Sequence, residues 1–332
     1  MPADAMWLTE ADVVASVDLR AAADAVRDVL RLEHSGHAHP LSKTATTWAA
    51  GNTLHALGGV ADGLGLVGTK TWAHTAGGAA PLLVLWDAAS GALRAVVEAF
   101  ALGQLRTAAV SAVATDVLAR LDATVMAMVG TGKQAMAQVA AVVSQRRIGE
   151  VRVFSPSPAH RSTFCTRLRE QLGDGGGVSV IECADVASAV EPADVITTAT
   201  RARDAFLRLE LLGRHAHVNA LGAITPERRE LADSLVAAAA MVVSDSPTAA
   251  LALSSELASA ATIVSLAEVV ASGCDRSRSG PTVFKAMGLG LADVAVGAAA
   301  LHASLDRGGG HPIPAIHRST PRLFSFTSGG HP

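Results

Sequence analysis

Residues 125–143 read VMAMVGTGKQAMAQVAAVV. An apolar run breaks at the turn Gly130-Thr131-Gly132-Lys133-Gln134-Ala135, and an alanine-rich helical pattern follows. That GxGxxA spacing is the spacing of a dinucleotide-binding loop. Glycine permits the tight turn and a close backbone approach to a pyrophosphate, whose charge the helix N-terminus meets. The motif alone is weak. It gains force from a second apolar stretch, VRVFS at 151–155, at the distance a βαβ unit requires.

Strand and helix patterns alternate from here on. Strands are expected at 124–129, 151–155, 178–181, 194–198, 216–220, 240–244 and 262–265, which predicts the α/β class with a Rossmann, doubly wound parallel sheet. Upstream, Thr9 reads as the N-cap of an amphipathic helix. NTLHALGGV (52–60), LGLVGTKTW (64–72) and APLLVLWDAASG (80–91) read as short strands between glycine turns. The stretch 98–121 reads as one long helix ended by Asp122, and 292–308 as a last helix. The tail from 308 to 332, rich in Gly, Pro, Ser and His, is expected to be loosely ordered.

The composition narrows the function. The 332 residues are 50% hydrophobic, enough for two domains with buried cores. A net charge of -3 without a basic cluster speaks against nucleic acid and a membrane surface as partners. Cys165, Cys183 and Cys274 form no CxxC pair, which suits a reducing cytoplasm. The N-terminus lacks a signal-peptide pattern, and no apolar run reaches the ~18 residues of a membrane span, so a soluble cytoplasmic protein is expected. His34, His37 and His39 cluster without a Cys or acidic partner, and no metal site is expected there. Asp245-Ser246-Pro247 reads as a helix start, Ser246 capping and Pro247 in the first position.

The end of the second Rossmann strand bears on the cofactor. An acid there hydrogen-bonds the ribose 2′-hydroxyl of NAD. This chain has Ser155-Pro156-Ser157-Pro158, then His160 and Arg161. Ser155, Ser157 and Arg161 suit the 2′-phosphate of NADP, so NADP(H) is expected in preference to NAD(H), with NAD(H) still possible. Arg161 also fits a plain role on a solvated helix face. Ahead of the loop stand Lys70, in an apolar glycine-rich strand, and Arg106, in LGQLRTAAVSA. A charge in such a strand needs a partner. Together the two look like carboxylate-binding groups facing the cofactor.

The stretches DAASGALRAVVEAFALGQLRTAAVSAVATDVLA, VGTGKQAMAQVAAV, HVNALGAITPERREL, VVSDSP and VFKAMGLGLADVAVG resemble, in this order, the ornithine cyclodeaminase/mu-crystallin family. The resemblance runs from about residue 10 to about 305. It implies a smaller α/β substrate-binding and dimerisation domain, 1–116 with 300–332, a Rossmann NAD(P)-binding domain, 117–299, and an active site between them in a homodimer. It implies Lys70 as the active-site lysine and Arg106 as a contact to substrate carboxylate and cofactor. Further cofactor contacts implied are Gly130, Thr131, Gly132, Lys133, Gln134, Ser155, Thr200, Val218, Asn219, Ala220, Leu221 and Arg228. The resemblance also implies that Ala286 and Met287 border the nicotinamide and substrate.

Two positions depart from the family pattern. Lys43 stands where an arginine is usual, a point charge without the bidentate fork. Ile224 stands where the cyclodeaminases carry a catalytic Asp. Asp293 fits either a place near the site or a solvated helix face. The expected activity is NAD(P)H-dependent reduction of an α-imino acid such as a cyclic ketimine. The alternatives are an ornithine- or lysine-type cyclodeaminase, an alanine-dehydrogenase-like enzyme, or a binding protein that keeps the cofactor pocket with little chemistry.

Overall fold

The computed structural model describes residues 5–49, 51–173, 177–276 and 279–323. The first half supplies β1 (Met6–Leu8), α1 (Glu10–Ser16), α2 (Leu19–His34), β2 (His39–Trp48), β3 (Asn52–Ala61), β4 (Leu66–Thr75), β5 (Gly78–Ala79), β6 (Leu82–Asp87), β7 (Leu93–Glu98) and α3 (Phe100–Leu118). The second half runs β8 (Val125–Val129), α4 (Ala135–Gln145), β9 (Glu150–Phe154), α5 (Pro158–Leu172), β10 (Ser179–Glu182), α6 (Val186–Val190) and β11 (Val195–Thr198). It continues through β12 (His217–Ala220), α7 (Asp233–Ala238), β13 (Met241–Ser244), α8 (Pro247–Leu253), β14 (Val264–Ser265), α9 (Leu266–Ser272), β15 (Thr282–Lys285), α10 (Gly290–Asp306) and β16 (His311–Pro312).

Among the described residues the strands form two eight-stranded sheets. One has the order β16-β1-β7-β6-β4-β3-β2, with β5 on β4, and is antiparallel except where β1 meets β7. The other, β10-β9-β8-β11-β12-β15-β13-β14, is parallel throughout. β11 and β12 are buried along their whole length, and β8 from Met126 onward, because helices cover both faces, which is why they read as continuous rather than alternating apolar runs. The chain leaves β8 in one direction toward β10 and returns on its other side at β11. Their open ends form the switch point where α/β sheets bind ligands.

Local chemistry explains the framing helices. Thr9 caps α1, as the sequence predicts, and Asp12 completes a capping box, but the helical pattern expected over 9–36 breaks at Val17 and resumes as α2. Asp18 caps α2, whose Ala22, Val26, Val29 and Leu30 form its buried stripe. Helix α10 lies across β2, β3, β4 and β6. Its Gly290 rests on the backbone of Gly58, where a Cβ on either residue would overlap main-chain atoms. Among the described residues no helix is long and apolar enough to cross a membrane.

The elements differ from the sequence expectation in several places. The long helix starts at Phe100, because Glu98 belongs to β7, and it ends at Leu118 rather than near Asp122. The stretch 39–48 is a strand, although its side chains are all exposed and show no apolar alternation. β15 was not expected and lies between β12 and β13. Ser246 stands at the cap position of α8 with Pro247 behind it, but its side chain makes no capping bond. Within the tail, β16 pairs with β1 and Ile313 N donates to Ala5 O at 2.7 Å, so this part is anchored. Residues 324–332 lie outside the described residues.

Candidate active site

Strand β4 alternates its side chains, which places Lys70 on the face covered by the start of α10. There Nζ of Lys70 donates to Oδ1 of Asp293 at 2.5 Å. Arg106, from the second turn of α3, brings its Nε within 3.2 Å of the same oxygen. That contact is an ion pair without hydrogen-bond alignment. Asp293 is fully buried, and its Oδ2 has no hydrogen-bond partner. An acid in the first turn of a helix is favoured by the helix dipole. Burial pushes the Lys70 ammonium down to about 8; Asp293 opposes that push and Arg106 adds to it.

Lys43 sits at the β-bulge where β2 and β3 shift register between Leu41 and Thr44. The residue as a whole is exposed, yet desolvation of its ammonium, and then Arg106, hold its pKa below the usual lysine value. Asp245 and Asp293 oppose this, so all four charges share one neighbourhood. On the same face, His55 stacks on Trp72 with ring centroids 4.7 Å apart. Lys43, Lys70 and Arg106, singled out separately in the sequence, thus lie in one neighbourhood. Asp293 is buried among them rather than on a solvated helix face.

The glycine loop fits a pyrophosphate. Gly130 adopts φ 106°, and a Cβ there would stand 2.6 Å from Ala199 O at the end of β11. A Cβ on Gly132 would meet nothing within 4 Å, so the loop opens outward at that point. Thr131 and Lys133 flank it, and Gln134 Oε1 is buried without a partner ahead of α4. These residues would hold a dinucleotide's phosphates, with the α4 N-terminus behind them.

The neighbouring strand ends and the turn beyond them are held by three acids, of which the sequence reading singled out Asp245 alone, and in another role. Glu230 accepts from Thr198 Oγ1, Thr200 N, Thr200 Oγ1 and Gly222 N at 2.7–2.9 Å, fixing the ends of β11 and β12 together. Glu256 accepts from Glu230 N and Leu231 N, and from the fully buried Lys285 Nζ at 2.6 Å. Asp245, read as part of a helix start, instead accepts from the amides of Met287 and Gly288 at 2.7 and 3.1 Å. It thereby fixes the turn carrying Ala286 and Met287. The available signal was the presence of acids in otherwise apolar or tightly turning stretches.

Of the run 218–221, Val218 and Ala220 are buried within the sheet, and Asn219 spends its amide on Thr115 Oγ1 at 2.9 Å. Leu221 follows at the strand's open end. Arg228 lies half-buried in the loop beyond, and Ile224 packs against the core of the parallel sheet. Ser155 is buried just past β9, Ser157 caps α5, and Arg161 is engaged by Glu182 and Ser155 O. Among the described residues no group of three or more His, Cys, Asp or Glu could hold a metal ion.

A sequence model of the ornithine cyclodeaminase/mu-crystallin family matches residues 3–306. The ketimine reductase mu-crystallin of Mus musculus is 34% identical over 214 residues, covering 64% of this chain and 66% of that protein. The chain thus matches about two-thirds of that relative's length. The Δ1-pyrroline-2-carboxylate reductase of Bacillus cereus is 30% identical over 244 residues, covering 70% of this chain and 73% of the relative. Among solved structures, an archaeal alanine dehydrogenase dimer with bound NAD matches with a TM-score of 0.84 at 25% identity, covering 95% of this chain and 100% of that one.

Proposed function

The chain belongs to the ornithine cyclodeaminase/mu-crystallin family, and from that premise we propose that it is an NAD(P)H-dependent reductase of an α-imino acid. The substrate is a cyclic ketimine such as pyrroline- or piperideine-2-carboxylate, and the product is the amino acid. The names of the mouse and Bacillus relatives support this reading. The observation that carries it is the buried Lys70–Asp293–Arg106 cluster, in which two cations converge on one carboxylate oxygen.

In this reading Arg106 and Lys43 hold the substrate carboxylate. When bound, a reduced nicotinamide supplies the hydride that the imine carbon takes up. Lys70, an ammonium below about pH 8, gives its proton to the imine nitrogen, so the product leaves as a neutral amine. Ala286 and Met287 border the reacting carbon on a turn fixed by Asp245. The reading keeps NADP(H) as the preferred cofactor, on Ser155, Ser157 and Arg161.

Ile224 favours imine reduction over cyclodeamination. Deaminating ornithine requires an ammonium group to lose its proton before the α-carbon is oxidised, a service worth ~10²–10⁴-fold when a base is positioned for it. An isoleucine cannot provide it. A panel assay following NADPH and NADH oxidation is expected to show reduction of cyclic ketimines, with little ammonia released from ornithine or lysine. Robust ammonia release with catalytic NAD(P)⁺ and no imine reduction would overturn the reading.

The assembly proposed is a homodimer. β2 is a ten-residue edge strand, exposed along its whole length, and it shows Leu41 and Trp48 to solvent beside Leu54 and Val60 of β3. Open edges of this length pair or become covered. Sedimentation equilibrium is expected to return twice the 33.7 kDa of one chain; a single-chain mass at micromolar concentration would refute the dimer.

A further inference from the structure

β9 ends without an acid, but its neighbour does not. β10 runs parallel to β9 with Glu182 opposite Val153, and Cys183 N donates to Val153 O at 2.9 Å. Glu182 therefore stands beside the end of β9, on the strand next to the one where an acid is usual. Arg161, in the first turn of α5, reaches back to it. Its Nε donates to Glu182 Oε1 at 3.0 Å and its NH1 to Ser155 O at 2.9 Å. Its guanidinium carbon lies 5.9 Å from the centre of the Phe154 ring. Three contacts thus fix the guanidinium at the place where a Rossmann fold carries the adenosine ribose.

We propose that Glu182 is a specificity-determining residue for the cofactor: through its charge and its hold on Arg161 it limits the preference for a 2′-phosphate. The inference rests on the cofactor site proposed above. A guanidinium has five N–H donors, so Arg161 keeps donors for a phosphate after its two bonds here. A phosphate monoester brings a charge of about -1.5 to -2 near neutral pH. It meets Arg161 and Glu182 together, a pair whose charges cancel. The phosphate thereby loses the net attraction that Arg161 alone would give, whereas the uncharged 2′-hydroxyl of NADH loses nothing, and a carboxylate accepts its hydrogen bond. With side-chain exposures of 12% for Arg161 and 34% for Glu182, the pair is open enough for a nucleotide to reach.

The test uses the full chain and calorimetric binding of two probes, adenosine 2′,5′-bisphosphate and 5′-AMP. Glu182→Gln keeps the oxygen that accepts from Arg161 and removes the charge. It is expected to tighten the bisphosphate by about five- to tenfold, from the loss of one nearby like charge, and to leave 5′-AMP within about twofold. Arg161→Ala is expected to weaken the bisphosphate about tenfold or more, with 5′-AMP again unchanged. Unchanged or weaker bisphosphate binding by Glu182→Gln would overturn the inference while leaving the cofactor site standing. Failure of the unmodified chain to bind either probe, or NADH and NADPH, would overturn the cofactor site and this inference together.

Discussion

Arg106→Ala is expected to lower kcat/KM for imine reduction by about 30-fold to several-thousand-fold, the equivalent of about 2–5 kcal/mol for a truncated buried charge partner. The loss should extend to every accepted substrate, because the carboxylate is common to all of them. Folding should survive, since Asp293 keeps its hydrogen bond from Lys70 when Arg106 is gone. Steady-state kinetics beside a thermal melt separate the two effects. Near-normal turnover on all substrates would mean that the grip lies elsewhere.

The second large effect is expected from Asp293→Asn. Lys70 has its pKa lowered to about 8 by burial, and Asp293 is the main group holding it that high. Proton donation by Lys70 therefore fails as pH rises through about 8 in the unmodified chain. Without the Asp293 charge, that limit should move down by about one unit or more. Stability runs the other way. Between about pH 8 and the usual lysine value the unfolded chain binds the proton that folded Lys70 has released, so folding becomes more favourable there, by up to about 3 kcal/mol. Activity lost above pH 8 would thus not arise from destabilisation by the Lys70 titration. Asp293→Asn should also cost about 3 kcal/mol of stability near neutral pH, the lower end for a broken buried pair, because Lys70 can shed its proton. A pH profile of kcat/KM for both proteins checks the first point and denaturant melts the second. An unmoved alkaline limit would remove Lys70 as the proton donor.

The parallel sheet was legible because its strands are short apolar runs between helical patterns, opened by a glycine loop of fixed spacing. Its order was not. β15 has four residues, ends in a lysine, and inserts between two strands that precede it in the chain. Nothing local announces that Lys285 will be fully buried against Glu256. β2 escaped for the opposite reason, since a strand whose residues are all largely exposed carries no apolar alternation. Lys70 and Arg106 stood out because charge is unusual in their surroundings. Asp293 did not, because an acid in the first turn of an alanine-rich helix fits a solvated face equally well. Its role depends on Lys70, 223 positions away, and so on the packing of α10. Glu182 is similar: the acid is visible in the sequence, but its place beside β9 follows only from the strand register.

Helix glycines are the usual first choice when a protein is to be made more heat-resistant, since exchanging one for alanine in an open helix gains about 1 kcal/mol. α10 offers two, and they are not equivalent. At Gly297 a new methyl group would strike the end of the Leu83 side chain, which can turn away. At Gly290 it would strike the main chain of Gly58, itself wedged against Gly68 O, and none of these can yield. The helix would have to lift off the hairpin. Asp293 rides three residues further on, so the lift would carry its carboxylate out of reach of Lys70. A change made for thermal resistance would then be felt first as lost catalysis.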